Sequence, residues 1–418
     1  MSQITKPLML NETGQLLVEG IARQNLLLSQ LVSASASEAT PVATLAEIHE
    51  IVQRGEAAQV FSIGDQINVK WNDGTSDYVI PFDIVHFGDV QLQDGETVPG
   101  MYIQAHYAFQ GVQFDQNEAF YVVTGQALAP GTYHFTMGNS WGNNVVANKV
   151  YQFTTTVEVP VGGQLQLGTA SSQVSALPDT SPANWRVRTY ADASAAALEI
   201  LTLTEGSAGT DLGVLSSSTK YGTSGMNNMQ RSGYGYNRWG QSAIRQYMNS
   251  AAAAGSWWAQ KNPYDRIPDQ AASVRGMMAG FEEGFLNIIK PVKVVTALNT
   301  VSDSDIGSSE ITYDTFFLAS LEQEYIAPQV SGVEGEYWEY WKRRLGLSSP
   351  QAQGSGGTNP AHIRYAYNAK TSAQNCRLRS ASRGFAYYTW LVYTSGYAYV
   401  LHYTATSALR AVPACVIC

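Results

Sequence analysis

Few residues in this chain are grouped as chemistry would require. Cys415 and Cys418 form a C-x-x-C, and Cys376 is the remaining cysteine. A structural zinc site needs four ligands and His402 is the one further candidate nearby in sequence, whereas a redox C-x-x-C opens a helix and this one does not. An odd count of three is no disulfide framework either. Asp303, Asp305 and Glu310, in VSDSDIGSSE, offer hard oxygen ligands for Ca²⁺, but their spacing is not that of an EF-hand and solvated acidic turns are commoner. Glu282 and Glu283, and the group Glu334, Glu336 and Glu339, are carboxylates of the kind a glycosidase uses. Such a pair works only when the fold sets its separation. His49, His86, His106, His134, His362 and His402 are scattered, with no H-E-x-x-H and no G-x-S-x-G elbow, and three of them alternate with aromatics as packed strand residues do. No phosphate-cradling glycine loop occurs, and G-Y-G-Y at 233–236 lacks the third glycine of a dinucleotide site. No metal, cofactor or catalytic group is expected, and the chain reads as a non-enzymatic binding protein.

The strongest compositional signal is Gly384 to Thr404, GFAYYTWLVYTSGYAYVLHYT, in which eight of 21 residues are aromatic against 11% for the chain, six of the eight being Tyr. A buried strand favours Val, Ile, Leu and Phe because each buried phenol must find a hydrogen-bond partner. A binding surface favours Tyr, which offers a large rigid contact area and a polar tip. Against this stands the alternation of Tyr397, Tyr399, Leu401 and Tyr403, which a half-buried strand would also show.

The elements that must position this stretch follow from periodicity. With 418 residues, two to four domains are expected. Leu16, Leu17, Ile21, Leu28, Leu31 and Val32 recur at helical spacing, so Thr13 to Val32 reads as an amphipathic helix. A second helix starts at Thr44, where T-L-A-E has capping-box spacing and Gly55 can close it. Residues 1–57 are thus expected to be N-terminal helices for attachment or oligomerisation. From Val60 the pattern alternates with period two between turn residues (Asn72 to Gly74, Asp94-Gly95, Pro130-Gly131), which predicts an antiparallel β-sandwich over 58–170. Residues 171–200, rich in Ser and Ala, are expected as a connector. In 201–418 the pattern predicts a helix capped by Ser242, a second helix over Ser273 to Ile289, strands at VKVVTALNT and YDTFFLASL, a loop from Gly346 to Pro360, and strands from Cys376 onward. The fold class is α+β and multidomain.

A net charge of -9 with no basic run leaves no footprint for phosphate backbones or anionic lipid, so nucleic acid is not an expected partner. No apolar segment is long enough for membrane insertion, and the N-terminus lacks the pattern of a secretory signal, so synthesis and folding in a cytosol are expected.

Three stretches carry a family resemblance: YGYNRWGQSAIRQYMNS with GSWW and NPYDRIP downstream; TYDTFFLASLEQEY followed by EGEYWEYW; and NCRLRSASRGFAYYTWLVYTSGYAYVLHYTATSALRAVPACVIC. Together, over roughly 205–418, they resemble the variable proteins of phage and prophage diversity-generating retroelements, whose C-type-lectin fold is related to the formylglycine-generating enzyme. The resemblance implies a C-type-lectin-like domain over 201–418 with a variable region at about 374–418. In that family a fixed scaffold is interleaved with diversified positions. The pattern R-G-x-A-x-x-T-W-x-V-x-T-S-G-x-A-x-x-x-x-x-T assigns Phe385, Tyr387, Tyr388, Leu391, Tyr393, Tyr397, Tyr399, Val400, Leu401, His402 and Tyr403 to the ligand surface, with Gly384, Trp390 and Gly396 as framework and Ser382 as a further variable candidate. It further implies a phage receptor- or ligand-binding protein in the virion, a homo-oligomer expected as a trimer, contacting other virion proteins and a host-surface protein or glycan. A structural decoration or fibre protein, and a virion-associated glycan hydrolase, are the alternatives.

Overall fold

The computed structural model describes residues 43–116, 126–137, 149–169, 185–192, 196–215, 235–261, 265–300, 303, 306–399 and 403–418. The expected helix over Thr13 to Val32 lies outside these residues. The second does form, as Leu45–Gln53: Thr44 is its N-cap, with both arms of the capping box in place, and Gly55 follows at φ +75°. Ile48 and Val52 turn its apolar face to the core.

The chain is β-rich and built on several sheets, most of whose pairs are antiparallel. The first has five strands in the order Gln66–Asn72, Asp77–Gln91, Thr97–Ala105, Pro413–Ile417, Phe317–Leu318. Local turn chemistry sets its first two connections. Asp73 Oδ1 accepts from the amides of Thr75 and Ser76 at 2.9 Å each, with Gly74 at φ +104°, and Asp94 Oδ1 accepts from Glu96 N beside Gly95 at φ +91°. Alternation in Gln66–Asn72 buries Ile67, Val69 and Trp71 and exposes the residues between. The strand Pro413–Ile417 behaves differently: each of its residues is buried, as a strand covered on both faces must be, and its sequence is a short apolar run instead of an alternation.

That strand pairs with Thr97–Ala105, Cys415 lying opposite Ile103. A second five-stranded sheet likewise joins distant segments, in the order Ala398–Tyr399, Thr389–Val392, Cys376–Ala381, Ala408–Ala411, Gly111–Gln113. Cys376–Ala381 and Ala408–Ala411 are parallel neighbours. One hydrophobic core accordingly runs from Ile48 to Cys418.

These pairings correct the expected organisation. Among the described residues, those of 58–170 do not form a sandwich of their own. Residues 66–113 belong to the same sheets and core as the C-terminal part. Between them sits a separate β unit. Its four-stranded sheet has the order Thr204–Glu205, Val150–Thr155, Gly131–Met137, Thr210–Leu215, and its three-stranded sheet the order Gln164–Thr169, Trp185–Tyr190, Glu199–Thr202. Its buried residues, among them Leu128, Phe135, Tyr151, Phe153, Val187 and Leu203, lie outside the main core cluster. The expected connector over 171–200 contains the strand Trp185–Tyr190, and the expected domain start at 201 falls inside this unit.

The helix expected over Ser273 to Ile289 is also absent: a 3₁₀ turn at Met277–Gly280 and a single turn at Glu283–Leu286 take its place. The cause is close backbone approach at two glycines. A Cβ at Gly276 would stand 2.2 Å from the Ser250 carbonyl oxygen, and one at Gly280 would stand 2.3 Å from that of Asn72. The helix at Ala243–Met248 forms as its cap predicts, Ser242 Oγ accepting from Arg245 N. Among the described residues no helix is long and apolar enough to cross a membrane.

Because Ile103 and Ile417 stand in adjacent strands of one core, Ile103→Ala and Ile417→Ala are each expected to destabilise the same cooperative unfolding transition by about 2–5 kcal/mol. Urea unfolding followed by tryptophan fluorescence measures this. A transition sensitive to Ile103→Ala but not to Ile417→Ala would mean that the two ends of the chain fold separately.

Candidate functional site

The aromatic stretch is carried by the second sheet and its loops. Residues 382–388 leave the strand Cys376–Ala381 and return as Thr389–Val392. A tight turn over 393–397 leads to Ala398–Tyr399, and residues 403–407 lead back to Ala408–Ala411. Phe385, Tyr387, Tyr388, Tyr393, Tyr397, Tyr399 and Tyr403 are all partly exposed. They fall into two ring clusters. In one, Phe385 meets Tyr387 and Tyr388 edge-on at 5.7 and 5.3 Å between ring centroids, and Tyr387 lies 4.3 Å from Tyr388. In the other, Tyr393 stacks on Tyr397 at 5.2 Å, Tyr397 meets Tyr399 at 5.8 Å, and Tyr403 closes on Tyr393 at 6.4 Å. The charge and hydrogen bonding of the nearby Tyr403 phenol raise the Tyr393 phenol above its ordinary pKa. The backbone ties the clusters together, through Ala405 N donating to Tyr387 O at 2.8 Å.

Leu391 departs from the expected surface. It is 0% exposed, because both faces of Thr389–Val392 are covered and a strand buried on both sides presents no outward position. Ser382 is buried too. Val400, Leu401 and His402 lie outside the described residues. Trp390 is buried as framework, its indole nitrogen 3.3 Å from Gln329 Oε1. Gly396, also framework, sits at φ +84°, where a Cβ would stand 2.1 Å from the Asn359 carbonyl oxygen.

Loops of this kind present many main-chain carbonyls and few regular partners, and a buried carbonyl left without a donor destabilises the fold. Two buried side chains supply the donors. The amide of Asn237, 0% exposed, donates to the carbonyls of Phe385 at 2.8 Å, Tyr388 at 2.7 Å and Ser382 at 3.2 Å, while Asn237 N donates to Ala386 O. Carbonyl oxygens only accept, so the amide nitrogen must face them, and Asn237 Oδ1 is left to accept from Asn299 Nδ2 at 2.9 Å. Arg377 reaches the other loop, donating to the carbonyls of Tyr403, Thr404 and Ser407 and to Thr389 Oγ1 at 2.9–3.2 Å. Burial pulls its guanidinium down to about 9, still charged at neutral pH, and among the described residues no carboxylate pairs with it. Arg379, two residues on, donates to the carbonyls of Leu318, Val295 and Glu334.

Nothing in the sequence of the N-R-W-G segment signals these roles, because they depend on carbonyls far along the chain. Its other residues, and Arg245 in the helix that follows, are equally committed to support. Arg238 pairs with Glu310 at 2.7 Å, Trp239 Nε1 donates to Asp314 Oδ2 at 2.8 Å, and Arg245 pairs with Asp314 at 2.5 Å.

The residues weighed for chemistry are distributed accordingly. Glu310 is taken by Arg238 and by Gly240 N, and Asp303 by Tyr236 and Asn299. Among the described residues no group of His, Cys, Asp and Glu is placed to hold a metal. The three cysteines are free and buried, and burial pushes the Cys376 thiol up to about 12 and that of Cys415 well above its ordinary value. Glu282 accepts from Lys70 N and Glu339 pairs with Arg343. Glu334 is 4% exposed with both oxygens engaged, by Ala297 N and Ser380 Oγ, whereas the Glu336 side chain is 87% exposed.

Residues 214–417 match the model of a family described as a domain of unknown function (DUF6273), a span that holds Asn237, Arg377 and the whole aromatic face. No curated protein and no solved structure matches the chain.

Two measurements test this framework. Asn237→Ala removes the donor for three carbonyls and is expected to cost about 1–3 kcal/mol in thermal unfolding, with faster amide exchange concentrated at 382–388; unchanged exchange there would contradict the role assigned to Asn237. The second concerns Glu334, whose carboxyl burial raises above its ordinary pKa. The folded state then holds the proton more tightly than the unfolded state, so this group's contribution is fully present below about 4.5 and is lost as pH rises. Glu334→Gln, which cannot ionise, is expected to gain stability relative to wild type as pH climbs from about 4.5 to 7. A pH-independent difference would contradict that environment.

Proposed function

We propose that this protein is a phage ligand-binding protein whose aromatic face, Phe385, Tyr387, Tyr388, Tyr393, Tyr397, Tyr399 and Tyr403, contacts a protein or glycan on the host surface. The observation that carries this reading is the division of labour within 382–407: the rings stand partly exposed while Asn237, Arg377 and Trp390 are buried beneath the backbone that bears them. A surface built this way tolerates replacement of its side chains, because the hydrogen bonds that hold the loops run to main-chain carbonyls, which every residue type supplies. That tolerance is what a retroelement-diversified variable protein on a C-type-lectin-like fold requires, and the scaffold-and-variable interleaving of the sequence fits it, with Leu391 removed from the surface. Val400, Leu401 and His402, outside the described residues, are assigned to the face by the sequence resemblance alone. Assembly as a homo-oligomer in the virion would multiply weak contacts into avidity.

Replacing Tyr387, Tyr393 and Tyr399 together with Ala is expected to abolish adsorption of the protein to host cells while leaving the unfolding temperature within a few degrees of wild type. Since the three side chains are partly exposed and their backbones are held independently, a large loss of stability would show instead that the rings are core, and retained adsorption would place the ligand elsewhere.

A further inference from the structure

A cavity of about 410 Å³, none of whose lining residues belongs to the aromatic loops, lies where the strands Asp77–Gln91, Thr97–Ala105 and Val292–Ala297 meet the segment 334–338. Its volume is at the lower end of the roughly 300–1,000 Å³ of small-molecule sites. The Tyr102 ring forms one wall, flanked by the His86 ring at 5.6 Å and by Trp338 at 6.2 Å. Asp89, Lys293 and Glu336 also line it, with Glu336 Oε2 3.7 Å from His86 Nε2. The wall is rigid, because the buried Arg379 ties the carbonyls of Val295 and Glu334 across it.

The chemistry of the lining restricts the ligand. Lys293 and Arg379 contribute two positive charges and Asp89 and Glu336 two negative ones, while burial favours the neutral form of the third lining carboxyl, Glu334, so the cavity selects neither an anion nor a cation. Burial lowers the basicity of His86, leaving a neutral ring with one donor and one acceptor, and burial together with the charge of Glu336 pushes the Tyr102 phenol up to about 12, so it stays a donor. Donors and acceptors therefore both stand beside an aromatic wall. A sugar ring matches this arrangement, since each hydroxyl both donates and accepts and its C–H face packs on an aromatic ring.

We propose that this cavity is a second binding site, independent of the aromatic face, that takes a neutral pyranose unit of a glycan, with Tyr102 as the stacking wall and His86, Asp89, Lys293 and Glu336 as hydroxyl partners.

Saturation-transfer NMR on the full chain tests this, using the methyl glycosides of glucose, galactose, mannose and N-acetylglucosamine as probes and methyl glucuronide and choline as charged controls. At least one neutral glycoside is expected to receive saturation and to titrate. Its affinity should fall about tenfold or more in a His86→Ala, Glu336→Gln double variant and stay unchanged in Tyr387→Ala. The Glu336 side chain is largely exposed, so Glu336→Gln alone, expected to weaken binding in the same direction, serves as the variant that leaves folding intact. Absence of transfer to every neutral glycoside, binding of a charged control only, affinity unaltered in both cavity variants, or loss in Tyr387→Ala would each overturn the proposal.

Discussion

The aromatic face depends on buried donors that satisfy the carbonyls of irregular backbone. Regular strands pair their own peptide groups; residues 382–388 and 403–407 do so only in part, through Ser382 N to Tyr388 O and Ala405 N to Tyr387 O, and the carbonyls of Phe385, Tyr388, Tyr403, Thr404 and Ser407 also take side-chain donors. Asn237 serves the first loop and Arg377 the second. Each is a planar group with several N–H bonds in fixed directions, able to reach carbonyls on different residues at once. A buried guanidinium without a carboxylate would ordinarily be costly; here four acceptors offset part of its lost hydration, and burial still draws its pKa down to about 9. The loops are thus anchored by interactions indifferent to the side chains they display.

Asn237 is itself held from behind. Asn299 donates to Asn237 Oδ1 and to Asp303 Oδ2, and the Tyr236 phenol also bonds Asp303. The neighbouring Arg238–Glu310 and Arg245–Asp314 pairs pin the same segment to the strand Ser309–Asp314. Much of the polarity that sequence alone presents as candidate chemistry is therefore consumed in support. Asp303 and Glu310 read as possible calcium ligands because oxygen-rich turns look alike whether they face a cation or a guanidinium.

What was legible in the sequence was local. The capping box at Thr44, the Ser242 cap and the Asp73 and Asp94 turns each depend on residues within a few positions, and each formed. Pairing of Thr97–Ala105 with Pro413–Ile417 depends on residues more than three hundred positions apart, and nothing in VPACVIC names its partner. The same blindness placed a domain boundary near 170: period-two alternation marks strands but does not say which sheet they join, so strands of the main core and of the intervening β unit read as one sandwich. Leu391 was misplaced for a related reason. A scaffold-and-variable pattern treats each variable position as outward, and a strand covered on both faces has none.

Cys376–Ala381 connects the two surfaces proposed to bind. Arg377 reaches from it to the carbonyls of 403–407, and Arg379, two residues along, reaches to Val295 and Glu334 beside the cavity. Neither guanidinium touches an exposed ring, so side chains on the aromatic face can change without altering the strand, and the cavity wall is insulated from that change. A protein that varies one surface while keeping a constant second site needs this separation, and a fully buried strand with rigid, main-chain-directed hydrogen bonds provides it. Its six residues are all buried, which removes the slack through which a substitution at Tyr387 or Tyr403 could propagate.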